Sequence, residues 1–200
     1  MSLPLPNFYI LGAEKCGTTA LYKFLDSHPD ICMSRPKEPV YYECRYQHGA
    51  EYYSQSYFGH YSGEPLVGEA RHRNFYLPYV AERILNTTPE ASFIILLRKP
   101  DERAYSAWLN RVIRGYETLD FPDAILADMC RINSGNIFAG PDGPAIWCSG
   151  QDSIPNTNGL MLTSRAYRTY VDVGYYNIHL RRFFDLFPQG AFFDTRLGCS

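Results

Sequence analysis

Apolar residues recur along the chain in two rhythms. Residues 8–11 (Phe-Tyr-Ile-Leu) and 66–70 (Leu-Val-Gly-Glu-Ala) are short apolar runs with strand character, and residues 31–33 form a weaker one. Residues 91–97 (Ala-Ser-Phe-Ile-Ile-Leu-Leu) make the clearest strand, a continuous apolar run as expected inside a parallel sheet. Between these runs the spacing lengthens to that of helices. Ala20, Leu21, Phe24 and Leu25 mark the first, and Phe75, Leu77, Tyr79, Val80, Ile84 and Leu85 predict another over 75–87, ended by Asn86-Thr-Thr-Pro89. A helix over 100–114 starts on Pro100, carries Asp101 and Glu102 in its first turn and stops at Gly115. Residues 121–129 predict one more, and residues 164–187 a long amphipathic helix, broken near Gly174 and ended by Pro188. Residues 133–159 are rich in Gly, Pro, Ser and Asn, without a period, and predict a long loop. Strands alternating with helices predict an α/β fold: a parallel sheet flanked by helices.

Composition narrows the class. Two hundred residues predict one domain over 1–200, and 46% hydrophobic with 20% charged residues is a globular balance. A net charge of −2 argues against a broad polyanion surface and gives no reason to expect a nucleic-acid partner, yet leaves room for a local anion pocket. Arginine supplies 15 of the 19 basic residues, which suits bidentate contacts to phosphate or sulfate. Six scattered cysteines, without a C-x-x-C pair, predict free thiols in a reducing compartment. Cys44, His48 and His60 match no zinc spacing, so no metal site is expected. No apolar run reaches the roughly 18 residues of a membrane span. No signal segment is visible, and the expected setting is cytoplasmic and bacterial.

The chemistry concentrates at residues 8–25. A strand, a glycine-bounded turn over 12–17 and a helix aim backbone N–H groups and a helix N-terminus at one point, a natural anion site. Gly12 and Gly17 have the separation of a nucleotide phosphate loop, but Thr18 stands where G-x-x-x-x-G-K-[ST] places lysine, and Lys15 lies inside the loop. The string G-x-x-K-C-G-T-T-A-L resembles the 5′-phosphosulfate loop of sulfotransferases that use 3′-phosphoadenosine 5′-phosphosulfate (PAPS), above all the carbohydrate enzymes related to those of heparan sulfate. A second string, Arg98-x-Pro100-x-x-Arg103-x-x-Ser106, follows the apolar run 91–97 and matches the 3′-phosphate site of the same family, with Lys99 where an Asp or Asn cap is usual.

The resemblance implies a P-loop-type sulfotransferase fold and in-line sulfuryl transfer from PAPS to a hydroxyl or amine, on a small molecule or, above all, a carbohydrate. It implies that Lys15 stabilises the leaving phosphate, that Gly12, Cys16, Gly17, Thr18 and Thr19 cradle the 5′-phosphosulfate, and that Arg98 and Ser106 hold the 3′-phosphate, without a metal. Arg103 is expected to tie its helix to the sheet. Glu69, at the end of the run 66–70, occupies the place of the family's general base, a role that suits a partly desolvated carboxylate. Pro36-Lys37-Glu38-Pro39 stands where the family has a Lys-Glu-Pro signature, with Lys37 a second cation for the site; Arg71, His72 and Arg73 are further candidates, and which of them faces the site stays open. Residues 44–63 are expected to hold a short aromatic helix beside the acceptor cleft. His28, in a His-Pro-Asp turn, is expected to bond nearby backbone. The family pattern also implies a strand, a helix and a basic loop beyond Phe187-Pro188, which residues 189–200 do not continue; the expectation is an incomplete domain with reduced or absent activity. A magnesium-dependent P-loop kinase and a non-catalytic nucleotide-binding remnant are the alternatives. The oligomeric state is not legible.

Overall fold

β1 (Phe8–Gly12) runs through the middle of a parallel sheet, and all five of its residues are buried. The computed structural model describes residues 4–133 and 168–193. Within them the sheet has five strands in the order β2-β3-β1-β4-β5, with β2 at Ile31–Met33, β3 at Leu66–Ala70, β4 at Ser92–Leu96 and β5 at Phe192–Phe193. The chain leaves β1 towards the β2 edge and leaves β4 towards the β5 edge. The crevice at the carboxyl ends of β1 and β4 is therefore the switch point at which open α/β sheets bind ligands.

The described residues fall into two compact units, one within Met1–Leu97 and Asn177–Ser200, the other within Arg98–Tyr176. In the first, alternation along the strands separates two faces. Phe8 and Ile10 share one face with Met33 and Ala70, covered by Tyr22, Leu21 and Leu25 of α1 (Thr18–Asp26). Tyr9 points to the other face and stacks on Phe93, which also meets Phe183, Phe187 and Phe192. Phe183 belongs to α6 (Tyr176–Phe184), so the aromatic stripe read near the chain's end is core. α2 (Gly49–Phe58) is the aromatic helix expected within 44–63.

The helix predicted over 75–87 is shorter than its apolar stripe. A 3₁₀ turn, His72–Phe75, and the Leu77-Pro78 bend precede α3 (Val80–Thr87), because proline keeps the residue before it out of helical geometry. Tyr41–Arg45 is a π-helical turn that the sequence did not suggest. The predicted loop over 134–159 and residues 164–167 of the predicted long helix lie outside the described residues; within 168–187 that helix resolves into a 3₁₀ turn, Asp172–Gly174, and α6.

The second unit packs α4 (Pro100–Ile113) and α5 (Phe121–Asn133) around Ala104, Ala107, Ala124 and Tyr170. Its buried carboxylates are paired: Asp128 and Asp172 with Arg131, and Glu117 with Arg168. No described helix is long and apolar enough to cross a membrane.

Gly68 shows how tightly the sheet is laid. A Cβ there would stand 2.2 Å from Cζ of Phe8 and 2.7 Å from Sδ of Met33. The Phe8 ring and the Met33 thioether must both shift to admit it, so Gly68→Ala is expected to cost about 1–3 kcal/mol, read as a lower urea midpoint with unchanged slope.

Candidate active site

The loop at residues 12–17 leaves β1 at the crevice. Gly12 has no room for a side chain: a Cβ would lie 2.6 Å from Cγ2 of Thr18 and 3.2 Å from the carbonyl oxygen of Leu96. Its absence lets α1 start hard against the sheet. Lys15 and Gly17 both take left-handed backbone, at φ 69° and 91°. Glycine does so freely; for lysine the conformation is strained, and such strain persists where a site is held in shape. Cys16 N–H bonds the Ala13 carbonyl at 3.3 Å, closing the turn. Gly17 caps α1 without a side-chain hydrogen bond; its carbonyl takes the Ala20 N–H at 3.0 Å, leaving the N–H groups of Thr18 and Thr19 and the helix dipole to face whatever lies at the loop. Thr18 is buried, Thr19 is exposed, and Lys15 and Cys16 are half-buried.

The segment after β2 lies alongside β3. Ser34 N–H bonds the Gly68 carbonyl at 2.8 Å, and Glu38 N–H bonds that of Ala70 at 3.1 Å. Glu38 is the second non-glycine residue with left-handed backbone, at φ 68°. Lys37 Nζ lies 6.0 Å from the ring centroid of Tyr22 in α1 and donates to Glu38. The Glu38 carboxylate also takes the His72 backbone N–H at 3.2 Å and its Nδ1 at 2.9 Å. Burial alone would raise this carboxyl; the charge and hydrogen bond of His72, then Arg71 and Lys37, hold it well below the usual range.

Glu43, on the π-helical turn, is the other anionic centre. Buried, it accepts from Arg71, with Nε at 3.0 Å, and from Arg73. Burial pushes its proton affinity up, but the two guanidiniums outweigh that and hold it low. Of the four candidate cations, Arg71 and Arg73 are thus internal counter-ions of Glu43. Lys37 and His72 are half-buried, both tied to Glu38.

Glu69 lies on β3 opposite Tyr9 and is only 1% exposed. Each carboxylate oxygen has its own donor, Tyr53 of α2 on Oε2 and Asn74 on Oε1. Burial raises the carboxyl to about 7 against the lowering effect of those two bonds and of Arg71. A carboxyl titrating near neutrality has the proton affinity a general base needs.

The other motif lies in the second unit. Arg98 is exposed, its Nε 2.9 Å from Oε2 of Glu102 and its carbonyl oxygen accepting the Tyr176 hydroxyl. Ser106 is half-buried on α4. Arg103, fully buried, donates to the carbonyls of Thr169 and Tyr170, so it ties α4 to that segment where the sequence suggested the sheet. His28 bonds backbone as expected, with Asp30 N–H 3.2 Å from its Nδ1. Among the described residues no three metal-ligating side chains converge, and no disulfide joins Cys16, Cys32, Cys44 or Cys130. A 360 Å³ cavity beneath α1, lined by Phe8, Leu21, Leu25, Ile94 and Leu96, is apolar and unsuited to phosphate.

Sequence reading missed Glu43, Tyr53 and Asn74. One signal was available: Glu43 is a lone charge inside Val40-Tyr-Tyr-Glu-Cys44, and a charge within an apolar run needs a buried counter-ion. Tyr53 stands among many tyrosines, and nothing local distinguishes it.

Known proteins match this arrangement. The family described as "Sulfotransferase domain" matches residues 5–141. The membrane-associated sulfotransferase kil1 of Dictyostelium discoideum is 38% identical over 120 residues, which are 54% of this chain and 25% of that protein. The mouse bifunctional heparan sulfate N-deacetylase/N-sulfotransferase 4 is 28% identical over 145 residues, 69% of this chain and 16% of that protein. The chain thus spans a quarter or less of these two curated relatives. The crystal structure of a sulfotransferase from Alicyclobacillus acidocaldarius superposes with a TM-score of 0.72 at 26% identity, covering 95% of this chain and 72% of that one.

Proposed function

Since the chain belongs to the sulfotransferase domain family, we propose that it moves a sulfuryl group from PAPS to a hydroxyl or amine, with a carbohydrate as the first acceptor to test. The observation that carries this reading is the loop at 12–17: a strained Lys15 and an uncapped helix start, at the switch point of a parallel sheet. The loop suits two adjacent anionic groups, which a phosphosulfate presents. The family match covers residues 5–141, from the first unit into the second, and the reading of 1–200 as one sulfotransferase domain extends it over the rest of the chain.

Lys15 and the N–H groups of residues 17–19 hold the 5′-phosphosulfate, with Gly12, Cys16, Gly17, Thr18 and Thr19 shaping the cradle. Lys15 neutralises charge on the bridging oxygen as the sulfur–oxygen bond breaks and adenosine 3′,5′-bisphosphate leaves. Arg98 and Ser106 are assigned to the 3′-phosphate. The acceptor oxygen or nitrogen forms the new bond to sulfur from the opposite side, and its proton passes to Glu69. Lys37 and His72 are assigned to the rim of the acceptor side. The donor loop lacks the lysine–hydroxyl pair that positions magnesium in nucleotide triphosphatases, and no metal enters the scheme.

Transfer of radiolabelled sulfate from PAPS to a panel of glycans, phenols and lipids tests the reading, alongside calorimetry with adenosine 3′,5′-bisphosphate. Lys15→Ala is expected to lower transfer by roughly 10²–10³-fold with the melting temperature unchanged, since alanine meets the same left-handed strain as lysine. Absence of bisphosphate binding at millimolar concentration, or hydrolysis of magnesium-ATP in its place, would sink the proposal.

A further inference from the structure

Glu69 is buried, and among the described residues its two oxygens are taken by two neutral donors from different elements, Tyr53 and Asn74. Tyr53 is held rigidly: its ring stacks on Tyr41 at 4.0 Å and 5° and meets Tyr42, Tyr57 and Phe58 edge-on. Asn74 is buried on the turn that follows β3, its backbone N–H bonded to the Arg71 carbonyl at 3.1 Å. A carboxylate held at both oxygens has one rotamer, and donors to its charged form work against the burial that disfavours it. Building on Glu69 as the group that takes the acceptor's proton, we propose that Tyr53 and Asn74 are positioning residues, which fix the direction of that carboxylate and set the pH at which it becomes a base.

Among the described residues the groups that face Glu69 are Tyr9 from β1, Tyr42 from the π-helical turn, Tyr53 and Tyr57 from α2, and Arg71, Asn74 and Glu38 from the segments at the ends of β3 and β2. Tyr9, Tyr42 and Tyr53 all hold their protons well above the ordinary phenol range because they are buried. They act here as neutral dipoles. Arg71 favours the carboxylate and Glu38 opposes it, and both are engaged in the ion cluster and unaffected by a change at Tyr53.

Tyr53→Phe keeps the stacked ring and deletes one donor. The acidic limb of the kcat/KM profile for sulfate transfer is expected to move upward by about one pH unit. Transfer at pH 6 then falls about tenfold relative to the parent, and transfer at pH 9 stays within about threefold. A purely structural tyrosine would lower the melting temperature and leave the limb in place, which would overturn the proposal. A second readout needs no PAPS or acceptor: the ¹³C carboxyl resonance of Glu69, assigned by its loss in Glu69→Gln, is titrated in the parent and in Tyr53→Phe. An upward move of about one unit supports the positioning role even if no acceptor is ever sulfated, in which case the functional reading alone fails. An unmoved titration overturns it. Asn74→Ser, which shortens the donor at the other oxygen, is read the same way if Tyr53→Phe does not fold.

Discussion

Replacing Glu69 by glutamine is expected to lower sulfuryl transfer by roughly 10²–10⁴-fold while leaving the affinity for adenosine 3′,5′-bisphosphate within about twofold of the parent's. The side chains are isosteric, so the pocket is kept. The amide oxygen can still accept from Tyr53, and a flip of the Asn74 amide turns its oxygen towards the new NH₂ group. Only the capacity to take a proton is gone. In the parent the carboxyl titrates at about 7, so the base form dominates above neutrality and transfer should fall about tenfold per pH unit below it.

The same shift gives a stability signature of opposite sign. The folded-state value lies above the unfolded one, so the contribution of Glu69 is complete below about pH 4.5 and is lost as pH rises through about 7. The variant has no such loss. Above pH 7 it should be more stable relative to the parent than it is at pH 4, by about 3 kcal/mol, as measured by urea unfolding at both pH values. Loss of transfer with a gain in relative stability marks a group kept for chemistry. Transfer within tenfold of the parent at pH 8 would remove Glu69 from the mechanism.

Glu43→Gln acts on the fold and should cost about 3–5 kcal/mol at pH 7. This carboxylate is shared by two buried guanidiniums, and its removal takes from both the nearer charge that offsets their desolvation, while Arg71 keeps its 3.6 Å pair with Glu38. Its carboxyl is held below the ordinary range in the folded state, so its stabilisation is present above the unfolded value and lost as pH falls through the folded one. The difference between parent and variant should therefore shrink as pH falls below the ordinary glutamate range, opposite to the Glu69 case. Adding Arg73→Met to Glu43→Gln should restore part of the loss, since an apolar side chain carries no desolvation debt. A cost below about 1 kcal/mol at pH 7 would mean the cluster is open to water and counts for little.

Some of the site could be read from residues close together in the chain. The run 8–11, the Gly12 and Gly17 pair and the start of α1 lie within about four turns of chain, and local steric and hydrogen-bonding demands decide their shape. The strand over 91–97 and the Pro100 helix start are legible for the same reason. The helix over 75–87 was overread because apolar periodicity is blind to the proline constraint at Leu77, a conflict settled in favour of the backbone.

By itself, the sequence determined that this is an α/β protein with an anion loop after its first strand and a carboxylate at the end of its third. Those features depend on neighbours a few residues apart. The tertiary structure alone decided what each charge does: Arg71 and Arg73 face inward to Glu43, 28 and 30 residues away, and Glu69 is held by Tyr53, 16 residues away. Any of several arginines, glutamates and tyrosines could have made those pairs. The choice falls to strand order and burial, because a charge taken out of water must find its partner wherever the sheet brings one.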